Sequence, residues 1–261
     1  MVAEKTKGGR TMERQRLYLS AMDGQAAELA RQEGLGLELT AFAYAPNLED
    51  EAQLSAAKRQ LDGIGRAWLH APFAELAPCA IDPAVREVTR HRYRQALDAA
   101  RRLDIHRIII HGGFIPHVYF PEWYVGQSVD FWREFLRETP RTVCIALENV
   151  LEPSPDTLIE IVRQVDDPRL GLCLDVGHAN TAASRVPPSE WLEVMAPWLL
   201  HFHLHNNRGQ DDLHAPLGEG TIAMARLLAS AQRLCPRASF TIEAQSCAAS
   251  LAWLREVGEL T

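Results

Sequence analysis

The sequence predicts an α/β protein with a single (β/α)8 TIM barrel, and three observations carry that prediction. Short β-rich runs alternate strictly with longer amphipathic runs, which calls for a parallel sheet wrapped in helices. Eight such units fit in 261 residues, near the ~250 that a closed eightfold barrel occupies. No G-x-G-x-x-G follows the first strand, so the open doubly wound sheet, which shares the alternation, lacks its dinucleotide fingerprint.

The strands read in order as "RLYLSA" (16–21), "LGLELTAF" (35–42), "RAWLHAPF" (66–73) and "RIIIHGGF" (107–114). They continue as "VCIALENV" (143–150), "LGLCLDVGH" (170–178), "LLHFHLH" (199–205) and "SFTIEAQ" (239–245). Each is a short run with apolar residues at its centre, short enough to cross a barrel once. Helical patterns follow near 25–33, 49–63, 83–103, 126–138, 155–166, 188–197, 222–234 and 247–258. Asp82-Pro83 and Ser154-Pro155 read as N-caps followed by a first-turn proline. No linker or low-complexity segment divides the chain. Residues 1–15 read as a disordered leader and 16–261 as one catalytic barrel domain.

The chain is 47% hydrophobic and 23% charged with a formal net charge of −7. That balance gives no global pull toward nucleic acid or an anionic membrane. No apolar run approaches the ~18 residues of a membrane helix, and the N-terminus lacks the apolar core of a secretory signal. The five cysteines are odd in number and form no C-x-x-C. They read as reduced core residues of a cytoplasmic protein. A chain this long needs no metal to fold, so any metal implied by its side chains is functional.

In a barrel the chemistry sits at the C-terminal ends of the strands. Glu38 lies on the second strand, His70 ends the third, His111 the fourth and Glu148 the fifth. Asp175 and His178 end the sixth. His201, His203 and His205 lie on the seventh, followed by Asp212 and His214 in the next loop. Glu243 ends the eighth. In "HFHLH" the period of two puts three histidines on one face. Phe202 and Leu204 take the opposite face toward the helices, so the histidines point into the barrel mouth. Imidazoles and carboxylates converging there repel or stay unsatisfied without a cation. A ligand set of nitrogen and oxygen without thiolate suits Zn²⁺, Mn²⁺, Co²⁺ or Fe²⁺.

The succession "HAPF", "HGG", "LEN", "LDVGHA", "HLHNN", "DLHAPLGEG" and "IEAQ", from about residue 35 to 245, resembles the xylose isomerase-like barrel superfamily. That group joins sugar isomerases and epimerases to the endonuclease IV type of apurinic/apyrimidinic endonuclease. The resemblance implies a core metal site of Glu148, Asp175, His203 and Glu243. It implies His70 and His111 as ligands of a second metal, and His178, Asp212 and His214 as ligands of a third. Two departures stand out: Asn206 replaces a common Asp, and Gly112 replaces the proline of "HPG".

Several features carry two readings. The segment "FIPHVYFPEWYVGQ" (114–127) is either an aromatic wall over a sugar or rim packing. "LGEG" is either a phosphate loop or a tight turn. Glu38 either binds substrate hydroxyls or pairs at the rim. The basic run 90–102 reads as a solvated helix face.

Two functions follow. The first is an isomerase or epimerase of a sugar, sugar phosphate or inosose, using one to three divalent ions, zinc or manganese foremost. Glu148 and Glu243 would exchange a proton beside the carbonyl, while Glu38, His178, His205 and Arg208 would contact the substrate. The second is an endonuclease IV-type phosphodiesterase acting on abasic DNA. The acidic composition favours a small sugar or polyol substrate, with no nucleic acid and no membrane, and leaves a homo-oligomer open.

Overall fold

The computed structural model describes residues 11–261. Eight parallel strands close a barrel in sequence order. They are β1 (Leu17–Ser20), β2 (Gly36–Leu39), β3 (Ala67–His70), β4 (Arg107–His111), β5 (Cys144–Glu148), β6 (Leu170–Asp175), β7 (Leu199–Leu204) and β8 (Ser239–Ile242). Each pairs with the next, and β8 closes on β1 through Leu17–Phe240 and Leu19–Ile242. The helices around them are α1 (Ala26–Glu33), α2 (Glu51–Leu61), α3 (Pro83–Arg102), α4 (Pro121–Glu138), α5 (Asp156–Val165), α6 (Pro188–Met195), α7 (Met224–Leu234) and α8 (Cys247–Glu256).

Strand alternation divides the side chains between two cores. Outward residues such as Leu19, Leu37, Ile110, Leu147, Leu174, Phe202 and Ile242 pack under the helices. Inward residues form a smaller cluster of Tyr18, Trp68, Ile109, Ala146 and Cys173 in the lower barrel. The next inward residues toward the C-terminal ends are charged or polar: Glu38, His70, His111, Glu148, Asp175, His203 and Glu243. Register sets their heights, with His111 opposite Glu148 and Asp175 opposite His203. One period of two thus supplies both the apolar floor and the polar mouth.

Helix starts follow local chemistry. The Asp82 carboxylate accepts the Ala84 N–H at 2.8 Å ahead of Pro83. The Asp50 and Ser246 side chains cap α2 and α8 in the same way. Two sequence expectations shift. Ser154 caps no backbone group, because its hydroxyl donates to the Asp156 carboxylate at 2.8 Å. Helix α4 begins at Pro121, five residues before the expected 126, because proline is preorganised for the first helical position. Half of the aromatic segment 114–127 is therefore helix.

The expected leader also shortens. Residues 1–10 lie outside the described residues, but Met12 is buried and its N–H donates to the Glu259 carbonyl at 2.7 Å. Arg14 pairs with Glu33 at 3.0 Å. The basic run on α3 is a solvated face only in part: Arg94 meets Glu138 and Arg102 meets Glu51, whereas Arg90 is buried over the Phe131 ring and meets Glu134. All five cysteines are free, with Cys144 only half-buried. Among the described residues no helix is long and apolar enough to cross a membrane.

Candidate metal centre at the barrel mouth

Four side chains from four consecutive strand ends meet in the mouth. His203 Nδ1 stands 3.0 Å from Glu243 Oε2, 3.3 Å from Glu148 Oε1 and 3.6 Å from Asp175 Oδ2. The other ring nitrogen, Nε2, lies 3.1 Å from Glu38. A carboxylate accepts, so Nε2 carries the hydrogen and Nδ1 turns its lone pair toward the three carboxylates. Both His203 Nδ1 and Glu148 Oε2 are buried without a hydrogen-bond partner among the described residues.

The same device recurs at the other histidines. His70 Nδ1 donates to the Ala71 carbonyl at 2.9 Å, which aims Nε2 at Glu148 Oε2, 3.3 Å away. His111 Nε2 reaches that oxygen at 3.4 Å. His178 Nδ1 donates to the Asn149 carbonyl and His214 Nδ1 to the Glu243 carbonyl, at 2.9 and 2.8 Å. Their Nε2 atoms then converge on Asp212 Oδ2 at 3.2 and 2.9 Å. Five of the histidines thus have one nitrogen aimed at a shared carboxylate, and four of these have the other tied to an oxygen, an arrangement that orients metal ligands.

Among the described residues five groups of close donor atoms occur, two of them through the deep Glu38 and three without it. These three concern the mouth. They are Glu148, Asp175, His203 and Glu243; then His70, His111 and Glu148; then His178, His205, Asp212 and His214. Ligand atoms about 2.0–2.2 Å from one ion stand roughly 3.3–3.6 Å apart at tetrahedral angles. These histidine–carboxylate separations, 2.9 to 3.6 Å, run from a little under that spacing to its upper end. The electrostatics agree. Burial acts to lower the basicity of His203, yet the facing Glu243, Glu38 and Glu148 hold it well above the ordinary imidazole value. Burial likewise acts to raise Glu148, but His203, His111 and His178 keep it well below the usual carboxylate range. The pocket therefore demands positive charge at its centre. A divalent cation can replace the protons, and the residues present fit one.

Other sequence-proposed residues take different places. Glu38 is fully buried beneath His203, with Thr241 donating to its Oε2 at 2.6 Å. It meets the His203 ring from below and is closed to solvent. His205 is also fully buried; its Nε2 meets both Asp175 oxygens at 3.0 Å and its ring stacks on His214 at 4.0 Å. It positions Asp175 and is shut off from a substrate. His201 faces the barrel interior but below the mouth, between the hydroxyls of Ser239 and Thr241. Burial pushes its basicity down, to about 4. Arg208 is exposed on the β7–α7 loop.

Sequence reasoning missed the supporting groups. Asn149 brackets the Asp175 backbone, accepting its N–H at 2.8 Å and donating to its carbonyl at 3.0 Å. Asn207 donates to the Gly177 carbonyl at 2.7 Å. Gly177 gives the His205 ring its space, since a Cβ there would overlap the imidazole. The "LEN" and "VGH" motifs carried these residues without revealing their partners. The "LGEG" segment is a packed turn: a Cβ on Gly220 would strike Asn206 and the Asn207 carbonyl. His214 has a left-handed backbone, φ 45°, a conformation that strains a histidine and recurs at functional sites.

The molecule is thus a closed eight-stranded barrel with histidines and carboxylates converging at its C-terminal mouth, where they form a candidate metal centre. The chain belongs to the xylose isomerase-like TIM barrel family, whose model matches residues 24–257. An uncharacterised protein of Methanocaldococcus jannaschii is 34% identical over 171 residues, 61% of this chain and 58% of that relative. The match thus spans less than two thirds of that relative's length. A probable endonuclease 4 of Mycobacterium ulcerans is 26% identical over 70% of this chain and 72% of its own. Among solved structures, the TTHB071 protein from Thermus thermophilus, soaked with ZnCl2, is 30% identical with a TM-score of 0.75, covering 94% of this chain and 98% of its own. A D-tagatose 3-epimerase-like protein shares the fold at TM-score 0.76 and 24% identity, covering 93% and 96%.

Proposed function

We propose that the chain is a divalent-metal-dependent isomerase or epimerase that moves a proton on a carbon beside the carbonyl of a small polyhydroxylated substrate. The carrying observation is the pair Glu148 and Glu243. They come from non-adjacent strands and approach the same His203 nitrogen at 3.3 and 3.0 Å. Reaching the mouth from different strands, one carboxylate would take the proton and the other would return it. Glu148, Asp175, His203 and Glu243 would hold the cation, which when bound supplies positive charge for the developing enediolate. His178, fixed by the Asn149 carbonyl, would orient a substrate hydroxyl.

The loops around the mouth support a small substrate. The eight strand-to-helix connections carry only two Lys or Arg side chains, Arg185 and Arg208. They carry ten carboxylates: Asp23, Glu49, Asp50, Glu75, Asp82, Glu152, Asp211, Asp212, Glu219 and Glu243. Phosphate backbones are held by clustered Lys and Arg, so the scarcity of such side chains here supports a small substrate. A phosphodiesterase of the endonuclease IV type is the second reading, favoured by the two additional ligand groups and by the 26% identity to a probable endonuclease 4.

One experiment separates them. The metal-loaded chain is incubated with ketoses, aldoses and inososes in D₂O, and in parallel with a duplex bearing one abasic site. Deuterium uptake into a sugar that is lost in Glu148→Gln and Glu243→Gln is the expected result. Metal-dependent nicking of the duplex without sugar exchange overturns the isomerase reading.

A further inference from the structure

We propose that Trp68, Ser239 and His201 are positioning residues for the metal centre, acting on His203 from inside the barrel through a one-way chain of hydrogen bonds. This rests on the metal reading of the mouth and extends it to groups deeper in the barrel. Trp68, Ser239, His201, Thr241, Glu38 and His203 are all buried. Each polar atom among them must therefore find its partner within the protein.

The direction of the chain follows from what each group can donate. The Glu38 carboxylate only accepts, so the Thr241 hydroxyl gives its hydrogen to Glu38 Oε2, 2.6 Å away. Thr241 then turns lone pairs toward His201 Nε2 at 2.8 Å, which requires the hydrogen on Nε2. At the other end the Trp68 indole N–H only donates, and it reaches Ser239 Oγ at 3.2 Å. Among the described residues, the acceptor left for the Ser239 hydroxyl is His201 Nδ1, at 2.7 Å. Nδ1 is therefore bare and His201 neutral, in keeping with the low basicity that burial imposes. A donor-only group at the foot and an acceptor-only group at the head leave one arrangement that satisfies every member.

The consequence falls on His203. Its Nε2 lies 3.1 Å from the same Glu38 oxygen that Thr241 meets. While Thr241 anchors that carboxylate, Glu38 takes the Nε2 hydrogen and leaves Nδ1 to the three carboxylates of the mouth. Without the Ser239 hydroxyl, His201 is free to carry its hydrogen on Nδ1. Thr241 would then donate to His201 Nε2, and Glu38 would lose its anchor. Trp68 packs on the His201 ring at 4.4 Å, so the ring is held while its hydrogen can move. Hydrogen bonds in such a chain polarise one another, so a change at the foot is felt at the ligand.

The test uses the full chain with ¹⁵N-labelled histidine, stripped of metal and then loaded with zinc. Two-bond ¹H–¹⁵N spectra read which ring nitrogen carries hydrogen, and competition with a chelator reads zinc affinity. In the loaded parent, His201 and His203 should both be protonated at Nε2. Ser239→Ala should lower zinc affinity by about tenfold, the low end for groups that orient ligands, and shift the His203 Nε2 resonance. Ser239→Thr, which keeps a hydroxyl, should restore both. Thr241→Val, isosteric and cutting the chain at its middle, should lose at least as much affinity as Ser239→Ala. In a Glu38→Gln background Ser239→Ala should cost nothing further, because the chain reaches His203 through Glu38. His201 protonated at Nδ1, unchanged affinity in Ser239→Ala or Thr241→Val, or an undiminished loss in the Glu38→Gln background overturns the proposal. If the parent binds no zinc, the metal reading fails separately. The chain is then judged on the metal-free protein. His201 protonated at Nε2, with a His203 Nε2 resonance that Ser239→Ala moves, upholds it; His201 protonated at Nδ1, or an unmoved resonance, overturns it.

Discussion

His203 shows how a single ring is oriented as a candidate ligand. Glu38 takes the hydrogen of Nε2 and Thr241 donates to Glu38, so the tautomer is set from below. Burial opposes a charged Glu38, but His203 and His201 hold its carboxyl well below the usual range. It therefore stays an anion under the site. Glu38→Gln keeps the shape and removes the charge. Zinc affinity of the four-residue centre should fall about 10–100-fold, as for other groups that orient metal ligands. Titration against a competing chelator measures it, with circular dichroism as the folding control. An unchanged affinity would mean that Glu38 acts only as packing.

At the scale of elements, the sequence already contained the alternation that closes the barrel. In "HFHLH" the period of two places all three histidines inward, as the structure has it. It does not give depth, so His201, His203 and His205 look alike in sequence while each lies at a different level. Depth comes from register and from neighbouring strands: Ser239 claims His201 and Asp175 claims His205. Glu38 was equally opaque, because its partners lie 165 and 203 residues away. The start of α4 was legible in Pro121, but the aromatic run around it looked like loop. Gly177 illustrates how tightly the elements meet. Gly177→Ala would drive a methyl into the His205 ring. Overpacking of this kind costs about 1–3 kcal/mol, read as a lower urea midpoint. His205 would also shift against Asp175, so the variant should bind less zinc. Parent-like stability and zinc content would show that the loop yields instead.

Over the whole molecule, buried histidines and carboxylates gather at one end of the barrel, so a cation bound there would couple to stability. In the metal-free chain, burial works against a charged His214, but Asp212 and Glu243 push it up to about 9 from 6.5. A histidine with a raised folded value contributes stability that is fully present below about pH 6.5 and lost as the pH rises through about 9. A cation displaces that same proton, so the metal-loaded chain should lose little stability over this window. Zinc at 100 times its dissociation constant adds about 2.7 kcal/mol for one site, or roughly 5–10 °C in Tm for a chain of this size. Scanning calorimetry of the EDTA-stripped and zinc-reloaded protein from pH 6.5 to 9 measures both effects. The gap between the two melting temperatures should widen with pH, and zinc binding at pH 7 should release protons in buffers of different ionisation enthalpy. A gap that is absent, or constant across the window, would sever the link between the histidine–carboxylate mouth and a bound cation.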